Sequence, residues 1–264
     1  MSFERRTEKG GKSQLGQSYA FDELQGLTRE QANGSGAVRF NLAREAGTID
    51  CEGRFQNGEG AGTFRFSPNT SFVSAMKSRG FDFNEPAKSR SLRFNESDST
   101  ENNEKSEDRL FAAATLNLTT AFTDDLLSAN FGKLDIDDLF KARIFNITPQ
   151  FMSEMRASGF PNLDMEDLVK ARIFKIDGNY VRQVREMGFK DSDMESLTKL
   201  RIFKVTPEFI GEVQAEGLSN LSIEELVKLR IFKIDAAFIR QAKSENVPLE
   251  VEKLVQKRIG VWRN

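Results

Sequence analysis

The stretch Lys170-Ala171-Arg172-Ile173-Phe174-Lys175 recurs almost unchanged at Lys141-Ala142-Arg143-Ile144-Phe145-Asn146, Lys199-Leu200-Arg201-Ile202-Phe203-Lys204 and Lys228-Leu229-Arg230-Ile231-Phe232-Lys233. Its arginine falls at 143, 172, 201 and 230, a step of 29 residues each time. A fixed period of this length marks a helical repeat array, in which one unit cannot bury its own apolar face and stacks on its neighbours.

Working outward, the units run 118–146, 147–175, 176–204, 205–233 and a shortened 234 to about 261. Each reads as two helices. Helix A opens at Thr119, Thr148, Asp177, Thr206 and Asp235, whose side-chain oxygens suit first-turn amides, with Pro149 and Pro207 where a missing N–H does no harm. It closes at Asn130, Gly159, Gly188, Gly217 and Asn246, the residue types that enter the left-handed region at least cost. Helix B opens at Asp135, Asp164, Asp193 and Ser222, with a partner for a capping box three residues on in three of the four.

The expected buried stripe is Phe122/Phe151/Tyr180/Phe209/Phe238 in helix A, then Leu139/Leu168/Leu197/Leu226/Leu254 and Ile144/Ile173/Ile202/Ile231/Ile259 in helix B. Gly260-Val261-Trp262 stands where earlier copies read Ile-Phe-Lys, and terminal units of arrays are commonly atypical.

Upstream, the hydrophobic period changes to two. Val38, Phe40 and Leu42, then Ile49, Cys51 and Phe55, then Phe64 and Phe66 alternate with polar residues, as three antiparallel strands do. Asn57-Gly58 supplies the positive φ angles of a tight hairpin, and Gly47, Gly60 and Gly62 suggest bends. Phe72, Met76, Gly80 and Phe81 repeat the spacing of Phe151, Met155, Gly159 and Phe160, so a first helix A follows the sheet. Leu110, Phe111, Ala114 and Leu118 resume the helix B register after a polar, low-complexity stretch.

The expected fold class is therefore α+β, mostly α: a small antiparallel β-meander followed by an αα-hairpin repeat array, a short α-solenoid. The expected layout is a disordered tail at 1–17, the meander at 18–66, a first repeat at 67–117 with a disordered insertion at 83–105, and five tandem repeats at 118–264.

Composition excludes several kinds of chemistry. The 264 residues contain no His and one Cys, which removes Ser-His and Cys-His catalysis, the usual zinc sites and an internal disulfide. No catalytic, cofactor or metal residue is assigned, and an enzyme is not expected. Cys51 sits on an apolar strand face and reads as a small buried hydrophobe. The net charge of −2 and the absence of an aromatic–basic recognition module argue against a nucleic-acid partner. The polar N-terminus lacks a signal peptide's apolar core and nowhere do 18 apolar residues run together, so neither export nor membrane insertion is expected and the cytoplasm is the default, a mature extracytoplasmic form being the other option.

Two rows remain as candidate partner-binding residues. Arg143, Arg172, Arg201 and Arg230 lie in the last turn of helix B with no acid four residues before them. They suit a carbonyl or a neighbouring carboxylate, or else form a strip that grips an acidic peptide or a phosphate. Phe145, Phe174, Phe203 and Phe232 follow the isoleucines expected to be buried, and serve either packing between units or an exposed row for a partner helix. By contrast Asp137/Lys141, Glu166/Lys170, Glu195/Lys199 and Glu224/Lys228 read as i,i+4 pairs that merely support the helix. The expected function is a non-enzymatic protein- or peptide-binding scaffold, the alternative a small-ligand sensor that binds between the sheet and the first repeat.

The run Phe64-Arg65-Phe66-Ser67-Pro68-Asn69, preceded by Arg44-Glu45-Ala46-Gly47-Thr48 and Glu52-Gly53, and followed by Val205-Thr206-Pro207-Glu208-Phe209-Ile210 and Glu225-Leu226-Val227-Lys228-Leu229-Arg230-Ile231, resembles a bacterial repeat family. These repeats are attached to antibiotic-sensing zinc metallopeptidases of the beta-lactam-receptor type and occur in stand-alone relatives. The resemblance covers about residues 35–260 and implies a small sheet followed by paired helices, with a bacterial signalling or regulatory accessory role. The peptidase's His-Glu-x-x-His and its membrane helices have no counterpart in the sequence, so neither peptidase activity nor anchoring is implied.

Overall fold

Alternating strands and periodic helices appear where the pattern places them in a computed structural model, which describes residues 1–6, 12–84, 99–129 and 132–262. The chain divides into two compact units, Met1–Pro149 and Gln150–Asn264. Its class is α+β and mostly α.

In the first unit, β3 (Ser35–Arg44), β4 (Gly47–Gln56) and β5 (Glu59–Pro68) form an antiparallel meander in the order β3-β4-β5. The Asn57-Gly58 turn has φ values of 52° and 85°, the positive pair a two-residue hairpin needs. Gly53 and Gly62 face each other across β4 and β5, where a Cβ on Gly62 would meet the Glu52 carbonyl at 2.1 Å, so only glycine lets the strands close. Val38, Leu42 and Ile49 are buried on the inner face.

The N-terminus is not a loose tail. β1 (Ser2–Arg6) and β2 (Lys12–Gly16) pair as an antiparallel hairpin. A composition too polar to repay its own ordering is overruled here by one residue, Phe3, which is 3% exposed and packs edge-on against Phe64 and Phe111. A short 3-10 turn at Phe21–Glu23 and a helix α1 (Arg29–Asn33), capped by Thr28 and Gln31, lead into β3.

Next come α2 (Thr70–Ser78) and α3 (Ser99–Thr115), the helix A and helix B of the first repeat. The expected insertion at 83–105 is ordered at both of its described ends. Phe83 is fully buried, and α3 already begins at Ser99; residues 85–98 lie outside those described. Phe111 of α3 stacks on Phe64 of β5 at 5.2 Å and meets Phe66 at 5.5 Å, joining the repeat to the sheet. The unit ends with α4 (Thr120–Ser128) and α5 (Ile136–Ile144).

The second unit continues through α6 (Pro149–Ala157), α7 (Met165–Ile173), α8 (Gly178–Glu186), α9 (Met194–Ile202), α10 (Pro207–Ala215), α11 (Ile223–Ile231), α12 (Ala236–Ser244) and α13 (Val251–Arg258). The expected N-caps hold: Asp164, Asp177, Asp193, Thr206, Ser222 and Asp235 each accept a first-turn amide. So do the left-handed closures of helix A, at φ 93° for Gly159, 102° for Gly188, 95° for Gly217 and 58° for Asn246; Asn130 lies outside the described residues. Helix B packs on helix B, α7 against α9, α9 against α11 and α11 against α13, with Leu168, Leu197, Leu200, Leu226 and Leu229 at 0 or 1% exposure in the seams. The last helix opens one residue early, at Glu250, with no side-chain cap.

Candidate interaction surface at the ends of helix B

The isoleucines are not in the core. Ile144, Ile173, Ile202, Ile231 and Ile259 are 56, 53, 49, 51 and 54% exposed. The expectation failed on geometry: a step of five from the buried leucine turns about 140° around a helix of 3.6 residues per turn, which carries the isoleucine off the buried face. The phenylalanines behind them take the inner place instead. Phe145, Phe174, Phe203 and Phe232 are the C-cap residues of α5, α7, α9 and α11, and are half-buried.

The arginine row is held by the face and the edge of its guanidinium groups. Arg143, Arg172, Arg201, Arg230 and Arg258 lie over the rings of Phe122, Phe151, Tyr180, Phe209 and Phe238 at 4.9, 3.7, 3.8, 4.8 and 4.9 Å, each ring coming from helix A of the same repeat. The Nε atoms of four of the five reach back to the preceding repeat: Arg143 donates to the Leu116 carbonyl at 3.0 Å, Arg201 to Phe174 at 3.2 Å, Arg230 to Phe203 at 2.9 Å and Arg258 to Phe232 at 3.0 Å. One side chain thus ties the two helices of its own repeat to the end of the previous one. In the first unit, burial and then the like charge of Arg44 hold Arg143 below the usual guanidinium range.

The helix-supporting pairs are only partly as expected. Glu195 and Lys199 pair at 2.8 Å, whereas Lys141 and Lys170 reach Asp138 and Asp167 three residues away, and Lys228 reaches Glu252 on the next repeat. Cys51 is half-buried, and burial pushes its thiol up to about 11, in keeping with an inert side chain.

Sequence reasoning missed a second left-handed closure, the one that ends helix B. Asn117 and Asn146 in the first unit and Lys175, Lys204 and Lys233 in the second have φ between 51° and 53°. In each of the second-unit cases a Schellman pair closes the turn: Lys204 N–H donates to the Arg201 carbonyl at 3.2 Å and Val205 N–H to Leu200 at 2.9 Å, and the same bonds recur at Lys175-Ile176 and Lys233-Ile234. The signal was present in the apolar residue that follows each site, Ile147, Ile176, Val205 and Ile234, all buried as the hydrophobic partner of such a cap.

In the second unit the surface so formed carries exposed Ile173, Ile202 and Ile231 beside exposed Lys175, Lys204 and Lys233. A recess of about 340 Å³ opens between two successive copies, lined by Ile202, Phe203, Lys204, Phe209, Arg230 and Lys233 among others. The space between the sheet and the first repeat, where a small ligand was the alternative expectation, is occupied by the rings of Phe3, Phe64, Phe66 and Phe111. Among the described residues no cluster of potential ligands could hold a metal ion, and no helix is long and apolar enough to cross a membrane. No family model, curated protein or solved structure matches the chain.

Proposed function

We propose that the chain is a non-enzymatic scaffold that binds a protein or peptide along the helix B ends of its second unit. The observation that supports this reading is the pairing of an exposed isoleucine row with a lysine row that occupies left-handed backbone. A lysine there costs about 1–2 kcal/mol against glycine, and the first unit meets the same turn with asparagine. The left-handed step therefore does not call for lysine, and the helix dipole that favours a cation there offsets only part of its cost. The arginines and phenylalanines named from sequence hold this edge in shape, and the isoleucines and lysines present it. A role as a bacterial signalling or regulatory accessory draws on the family resemblance.

A photo-crosslinking residue tests the surface directly. Placed at position 202 it should capture a discrete partner, with yield reduced in a Lys204→Glu background; placed at exposed Glu212 on α10 it should capture nothing. Equal capture from both positions, or none from 202, would remove the proposal.

A further inference from the structure

The scaffold reading leaves the ligand unnamed, and the present inference rests on it. We propose that the second unit's edge takes an acidic peptide in polyproline-II conformation, with an apolar side chain at every third residue.

The argument is one of matched periods. α7, α9 and α11 lie side by side, and packed helices stand about 8–10 Å apart. Ile173, Ile202 and Ile231 occupy the same position on each, so an apolar contact recurs at that interval. A polyproline-II chain turns once in three residues and about 9.3 Å, returning the same face at each repeat. An extended strand returns its face every two residues, about 6.6 Å, and loses register by the second helix. A ligand helix returns its face after about 10.5 Å, beyond that interval, and drifts further at each successive helix.

Charge selects the intervening residues. Lys175, Lys204 and Lys233 stand two residues beyond the isoleucines, and the recess sets Lys204, Arg230 and Lys233 against the single carboxylate of Asp235. The edge is left basic, and carboxylates between the apolar residues complement it.

The molecule covers one such helix end itself. In the first repeat the position equivalent to Ile202 is Thr115, 1% exposed, whose carbonyl accepts from the Tyr19 hydroxyl at 3.1 Å. Beside Tyr19, Ala20 has φ −74° and ψ 152°, the polyproline-II values. Here a side chain of the molecule itself, next to a residue with polyproline-II angles, caps a helix end that the second unit leaves open.

Fluorescence anisotropy with the full chain and a labelled twelve-residue peptide, Leu-Glu-Pro repeated, tests the inference. It should bind at least tenfold tighter than a peptide of the same composition with its leucines clustered, and tighter than a helix-forming acidic peptide with leucines seven apart. I202S/I231S and K204N/K233N should each weaken it tenfold or more while circular dichroism and melting stay unchanged. Equal binding of repeated and clustered peptides, or preference for the helical one, overturns the inference. Random-peptide display separates the two levels. Selected peptides of another pattern that still need Ile202 would overturn this ligand and leave the scaffold reading standing; selected peptides indifferent to I202S would overturn both.

Discussion

The same turn ends helix B in both units, yet the two units finish it differently. In the first, Asn117 and Asn146 make the left-handed step, Thr115 accepts from Tyr19 and Ile144 stays open; in the second, Lys175, Lys204 and Lys233 make it and Ile173, Ile202 and Ile231 stay open, so the isoleucines continue across both units and the change is from asparagine to lysine. The backbone bonds are alike, with Leu118 N–H to Ala113 at 2.8 Å in one and Val205 N–H to Leu200 at 2.9 Å in the other. What differs is therefore the surface, and the fold does not require the difference. A repeat can keep its backbone constant and reassign its exposed positions one unit at a time.

The largest test of this separation lies in the two cores. Phe111→Ala removes a ring that touches Phe3, Phe64 and Phe66, and should cost about 3–5 kcal/mol in urea unfolding. Leu200→Ala in the seam of α9, where the side chain is fully buried, should cost about 2–5 kcal/mol. If Phe111→Ala costs under 1 kcal/mol, the sheet and first repeat are not joined through that cluster.

Next in size is the arginine tie. Arg230→Ala loses the contact with the Phe209 ring and the bond to the Phe203 carbonyl, together worth about 2–3 kcal/mol. Arg230→Lys keeps the charge without the planar face and should recover less than half of that. Full recovery by lysine would mean that the helix dipole, and not the stacking, is what the arginine serves.

The units also share an ion pair of opposite polarity at one repeated place. Arg79 and Glu216 both follow the last residue of a helix A, and their partners, Asp124 at 2.6 Å and Arg240 at 2.6 Å, are both the fifth residue of the next helix A. Hydrogen bonds from Arg79 hold the Asp124 carboxyl below its usual range, so its stabilising share is present at neutral pH and fades as the pH falls through that lowered value. Asp137 behaves in reverse. Burial, then the charge of Asp135, raises its carboxyl, so the charged form is a cost at neutral pH that acid relieves. Asp137→Asn should raise the melting temperature at pH 7 and converge with the parent protein below the carboxylate range. Asp124→Asn should do the opposite at pH 7 and converge in the same way. A lower melting temperature for Asp137→Asn at pH 7 would show that Arg109 and Lys141 outweigh the desolvation.

Much of this architecture was legible in the sequence, because caps and periods are local. The 29-residue step, the Asp, Ser and Thr N-caps and the Gly159, Gly188 and Gly217 closures each depend on residues within a turn of one another. The hairpin at β1 and β2 was not legible, because its reason is Phe3 meeting Phe111 far along the chain. At the surface the arginines were correctly seen as able to reach a carbonyl, but the isoleucines were misplaced in the buried stripe. Ile202 is the last helical residue, five on from buried Leu197, and that step turns it about 140° off the buried face, while Phe203 in the cap takes the half-buried place that packing between units had offered it.

The smallest effects bear most directly on the comparison between the two units. Lys204→Asn gives the second unit the first unit's residue at the same turn, trading a favourable helix-end charge for an easier left-handed step, so stability should stay within about 0.5 kcal/mol. Ile202→Ala, two residues from fully buried Leu200, should likewise cost no more than about 0.5 kcal/mol, because half of the side chain is already in water. Urea unfolding of Leu200→Ala and Ile202→Ala measured together gives the contrast its sharpest form. A cost near 2 kcal/mol for Ile202→Ala would place that isoleucine in the core, and the edge of the second unit would then have no open apolar row to offer a ligand.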